Sequence, residues 1–176
     1  MHASRKSSNI IRTVQLQLFG NTLGFTLYPK WVWGDPDEVR DPAVDAEKAF
    51  VTMHWQQTTA GRKGSHIVQV DVWSRIKAQT DADDDPFGNR ATQIADALED
   101  TFTGDSFCFP ILDFETLPSN PPDTGEKLMC YTAQGDYGLP ASRDNLGIEG
   151  GRWRESLVFR FVMFKDVADQ SDRYLT

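Results

Sequence analysis

Apolar and polar residues alternate with clear periods along much of the chain. Ile10, Ile11, Val14 and Leu18 recur at helical spacing behind Ser7 and Ser8, either of which suits a helix cap. Val14, Leu16 and Leu18 also alternate with Gln15 and Gln17, as a strand would. The helix through Leu18 is the favoured reading, and Gly20-Asn21 ends the segment either way. An aromatic extended stretch, Phe25 to Trp33, stops at Gly34-Asp35-Pro36. Two strands follow, Ala49 to Gln57 and Ser65 to Arg75. Val51, Met53 and Trp55 alternate with Thr52, His54 and Gln56 in the first, and His66, Val68, Val70 and Val72 with Gln69 and Asp71 in the second. The polar, glycine-flanked connector Thr58 to Gly64 predicts an antiparallel hairpin.

The clearest helix comes next. Asp85 can cap it, Pro86 suits its first position, and Phe87, Ala91, Ile94, Leu98 and Phe102 form one apolar face until Gly104. Phe107 to Phe114 reads as a strand, with Pro110 favouring an edge or a bulge. Leu117 to Gly125 is a Pro-rich connector, Lys127 to Ala133 a short strand, and Gly135 to Gly151 a loop. In the last strand, Arg152 to Lys165, Trp153, Leu157, Phe159, Phe161 and Met163 share one face while Arg154, Ser156 and Arg160 share the other. Val162 and Phe164 make its end apolar on both faces, as in a central strand. No repeat or boundary divides the chain. The elements predict one α+β domain over residues 1–176, a mainly antiparallel sheet with helices packed on one face, and long loops at 34–47, 114–126 and 135–151.

Composition narrows the function. A chain of 176 residues can bury roughly 70% of its unfolded surface without a metal or disulfide staple. Its 26 acidic against 18 basic residues leave a net charge of −8, the wrong balance for a general nucleic-acid binder. A surface past which DNA slides without sticking remains compatible with that charge. There is no apolar run of about 18 residues and no uninterrupted apolar stretch behind the basic N-terminus, so neither a membrane span nor a secretory signal is expected. Cys108 and Cys130 are too few for a disulfide framework and are expected to be a reduced, cytoplasmic pair.

Candidate chemistry is sparse. In one register of the hairpin His54 and His66 lie opposite each other and hold zinc or copper with Asp71 or Glu47, although no third ligand shares their face. Two half-buried sheet histidines are the simpler account. The run Asp81 to Asp85 imitates a calcium loop but has Pro86 and Thr92 where glycine and glutamate are needed. There is no Gly-x-Ser-x-Gly motif, Cys108 sits between two phenylalanines like an inert thiol, and Gly61-Arg62-Lys63-Gly64 is too short for a phosphate loop. The expectation is therefore a non-enzyme without a cofactor. Five Trp and 11 Phe are many for so polar a chain, and Trp31, Trp33, Phe87 and Trp153 sit near long loops, a combination that suits protein–protein contacts. Trp31, Trp33, Tyr137, Leu139 and Trp153 are the candidate contact residues.

One family shares this layout. Its carriers here are Phe50 to Trp55, Gly64 to Trp73 with Gln69-Val70-Asp71-Val72-Trp73, the helix from Pro86 to Thr103, and the closing Gly151 to Phe161. The order resembles that of tail terminator (tail completion) proteins of long-tailed bacteriophages and related prophages, in which a Gln-Val-Asp-Val-aromatic strand precedes the helix and a Trp-containing strand closes the sheet. The acidic loop at 35–47 and the insert between Phe114 and Gly151 depart from the group, so another neck, connector or tail-tube position stays beside the terminator. The resemblance implies a structural virion protein, assembled in the host cytoplasm. It would form a hexameric ring on the last tail-tube ring, stop tube growth and join the filled head through a head-completion or neck protein. Its partners would be itself, the tube protein and the neck, with DNA passing unbound. Asp35, Asp37, Glu38, Asp41, Asp81, Asp83 and Asp84 would then line the channel or the outer rim.

Overall fold

The computed structural model describes residues 7–22, 32–33, 49–58, 65–75, 89–132 and 136–165. Among these, the chain forms helix α1 (Ser7–Thr22), strands β1 (Val32–Trp33), β2 (Phe50–Thr58) and β3 (Ser65–Arg75), and helix α2 (Asn89–Glu99). Two 3-10 turns, Asp100–Phe102 and Gly104–Phe107, lead to β4 (Cys108–Leu112), β5 (Asp123–Cys130), β6 (Ser142–Glu149) and β7 (Arg152–Lys165). The strands make one sheet in the order β1-β2-β3-β7-β5-β4. It is antiparallel except for the β1–β2 pair. The long β7 pairs with β3 from Arg152 to Val162 along one edge. On its other edge it takes β6 at 152–158 and β5 at 161–165. The fold is α+β.

Period-2 patterning places the core. Val68, Val70 and Val72 of β3 face Phe159, Leu157 and Glu155 of β7, and Val51, Met53 and Trp55 of β2 extend the same face. Onto it pack Ile10, Val14 and Leu18 of α1 and Ala91, Ile94, Ala95 and Leu98 of α2. Phe102, Phe109, Phe159 and Phe161 form an aromatic knot with ring centroids 5.2–6.3 Å apart. Burying side chains of this size stabilises by roughly 1.5–3 kcal/mol each, which holds both helices to one side of the sheet.

Helix α1 resolves the ambiguity at the N-terminus, but it runs through Gly20-Asn21 to Thr22. Its end is carried by Asn21, whose amide donates to the Ala97 carbonyl and to the Thr101 hydroxyl. β4 has both traits expected of Pro110: it is a sheet edge, and its pairing shifts register between Pro110 and Leu112. β5 starts at Asp123 and stops at Cys130, earlier at both ends than the Lys127–Ala133 strand expected, because Asp123 pairs with Leu112 across that bulge.

The expected loop at 135–151 is corrected more deeply, since β6 lies inside it. Gly150 and Gly151, at φ +57° and +75°, supply the two positive-φ residues of a tight hairpin into β7. The aromatic stretch before Val32, the acidic loop at 34–47 and the Asp85-Pro86 helix start lie outside the described residues.

Candidate functional site

The hairpin register decides the histidine question. β2 and β3 pair as Phe50↔Trp73 through Thr58↔Ser65, so His54 faces Gln69 and His66 faces Gln57. The proposed cross-strand His54–His66 pair is therefore wrong: the two side chains lie on opposite faces of the sheet. The physical reason is the core. Only this parity brings Val51, Met53 and Trp55 onto the face of the β3 valines, and a shift of one residue would turn them away. Among the described residues no three His, Cys, Asp or Glu side chains are arranged to hold a metal ion.

Each face of β7 instead carries a fixed ion-pair cluster. On the helix side, Arg143 of β6 reaches Asp96 at 2.6 Å and Glu99 at 2.7 Å on α2, and the buried Glu155 of β7 at 2.9 Å. Thr92 donates its hydroxyl to the same Glu155 carboxylate. Burial opposes the charge of Arg143, but the hydrogen bonds it donates to Glu99, Asp96 and Glu155 outweigh it and raise its pKa. On the opposite face, buried Asp71 accepts from Arg154 at 2.9 Å and from Gln69 at 3.0 Å, with His54 3.8 Å away. Arg154 also lies over the Trp73 ring, whose indole donates to Thr52. Both carboxylates are held by fixed donors, so these clusters staple strands and helix together.

A different kind of surface runs along the edge. Segment 136–149 enters β6, which pairs with β7 on one side and with no strand on the other among the described residues. Along it, Tyr137 is 56% exposed, Leu139 40%, Leu146 49% and Ile148 64%. Asp136, Asp144 and Glu149 are exposed beside them. The β4 edge is treated in the opposite way. There the backbone N–H of Leu112 donates to the Thr13 hydroxyl of α1, and that of Phe114 to the Asn9 side-chain oxygen. A helix covering an edge strand removes its unpaired donors, as natural sheets do. A second exposed apolar set lies on α1 itself: Leu16 and Phe19 follow Arg12 at i+4 and i+7, on the face away from Ile10, Val14 and Leu18.

Of the predicted contact residues, Tyr137 and Leu139 lie on this open strip. Trp153 is half-buried beneath it, packed against the core and opposite Ile148. Trp33 is in β1, while Trp31 and the acidic residues Asp35, Asp37, Glu38, Asp41, Asp81, Asp83 and Asp84 lie outside the described residues. Sequence reasoning missed Leu146, Ile148, Leu16 and Phe19. The signals were there: Gly150-Gly151 as a two-residue hairpin turn, and two apolar residues off the core stripe of α1. No protein-family model matches the sequence, and no curated protein matches it closely enough to count as a relative.

Proposed function

We propose that the chain is a structural assembly protein of a long-tailed bacteriophage, the tail terminator, which caps the tail tube as a hexameric ring in the virion and presents the head-joining surface. The observation that carries this reading is an open strand edge: α1 takes up backbone donors at the end of β4, whereas segment 136–149 leaves Tyr137, Leu139, Leu146 and Ile148 exposed along β6 and its approach. Apolar residues along an open strand edge favour contact with another protein surface. The layout behind the resemblance adds support: a helix, the β2–β3 hairpin, a second helix, and a closing strand at the centre of the sheet. The net charge of −8 suits a ring through which DNA slides without phosphate contacts.

Native mass spectrometry of the purified protein, alone and mixed with tail tubes, tests this. Hexamers, or one added ring that halts tube growth, are the expected result. Open-ended polymers would make the chain a tube subunit, and a monomer that ignores tubes would overturn the assembly reading.

A further inference from the structure

The exposed apolar residues fall into two sets of opposite charge. The strip at 136–149 holds Asp136 and Asp144, with Glu149 paired to Arg154 at 2.6 Å, and its one base, Arg143, is turned into its own carboxylate cluster. The α1 stripe holds Arg12 with Leu16 and Phe19, and α1 contains no acidic residue. Strip against strip would set acid on acid, and stripe against stripe would set Arg12 on Arg12. Strip against stripe buries apolar area on both sides and matches charge. Covering a strand edge with a helix is also what α1 already does at β4 through its other face.

We infer that the Tyr137–Ile148 strip of one copy docks on the Arg12–Leu16–Phe19 face of α1 of a second copy, a head-to-tail contact between two different surfaces. Such a contact repeats without exhausting itself and closes into a ring when the rotation allows. The inference deepens the ring reading and rests on it for closure alone.

Two variants separate the surfaces. Leu16→Glu with Phe19→Glu spoils the stripe and leaves the strip; Leu146→Lys with Ile148→Lys does the reverse. All four positions are exposed, so both variants are expected to keep the far-ultraviolet circular dichroism of the parent. Each alone is expected to sediment as a monomer, its self-association weakened at least about tenfold. Mixed in equal amounts they are expected to form a 1:1 heterodimer and stop there, because each supplies one intact surface. A mixture that stays monomeric, or either variant still self-associating like the parent, overturns the contact. Hydrogen exchange of the unaltered chain at low and high concentration is a second readout, with slowing expected in α1 and residues 137–149. Slowing confined to other segments, or none, overturns the contact as well. If the contact fails while the parent still caps tubes, the terminator reading stands; if the heterodimer forms but tubes grow on, that reading fails and the contact stands.

Discussion

His66 lies buried on the core face of β3, its ring 5.0 Å from that of Trp55, and its Nδ1 meets no partner among the described residues. Burial disfavours the imidazolium and lowers the pKa from 6.5. The unfolded chain therefore takes up the proton first as pH falls. The stability due to neutral His66 is complete above about pH 6.5 and is lost progressively below it. Urea midpoints measured from pH 8 to pH 5 are expected to fall more steeply for the parent than for His66→Phe, which cannot titrate. Gly138 is a second single-residue constraint. It sits at φ +80°, and an added Cβ would collide with the Phe102 carbonyl, so Gly138→Ala is expected to cost about 2 kcal/mol or more in denaturant unfolding. At this scale Tyr137 and Leu139 were legible as contact candidates because a loop was expected there. The ion-pair cluster was not: Glu155 breaks the apolar face of Trp153, Leu157 and Phe159, but its partner Arg143 lies in a segment expected to be a loop, so no strand pattern placed the two together. Cys130 is inert as a nucleophile, its thiol pushed up to about 12 by burial, and it lies on the opposite face from Cys108, which pairs with Met129.

Arg143 ties three elements together, which makes it the test of how β6 holds its place. It brings Asp96 and Glu99 of α2 and Glu155 of β7 to one guanidinium. Arg143→Met would leave the Glu155 carboxylate buried with Thr92 as its remaining donor, at a cost of about 3 kcal/mol by the usual price of an orphaned buried charge. Replacing Glu155 as well, in Arg143→Met with Glu155→Met, is expected to recover most of that loss in a double-mutant cycle. The same residue shows why β6 was hard to read. Of Ser142 to Glu149, Arg143 and Gly147 are partly covered and the rest are mostly exposed, so no apolar period marks the strand, and a register shift between Asn145 and Gly147 interrupts what alternation there is. The β2–β3 hairpin and β7 were legible because each buries one face or both. The antiparallel pairing of β2 with β3 was legible too, but its register was not, since strand patterns constrain parity only once the whole core face is assembled. α1 was legible as a helix yet not in length, because Asn9, Thr13 and Asn21 find partners in β4, the loop after it and the turn at Thr101, contacts far away in sequence.

At the scale of the whole molecule, net charge and local surface pull in opposite directions. A charge of −8 repels one copy from another at long range. The α1 stripe, with Arg12 and no acid, gives the acidic strip of a neighbour a place to approach at short range. If folded copies associate while unfolded ones do not, stability becomes concentration-dependent. Raising the concentration of the free partner from near Kd to about 100 Kd would add about 2 kcal/mol to the folded state. For a chain of this size about 1 kcal/mol moves the melting midpoint by roughly 2–4 °C. A rise of roughly 4–8 °C between dilute and concentrated samples is therefore expected for the parent by scanning calorimetry. The Leu146→Lys, Ile148→Lys variant is expected to melt at one temperature at every concentration. A parent whose midpoint ignores concentration would show that the exposed strip recruits no second copy, and the open edge of β6 would then have to be answered by a different protein.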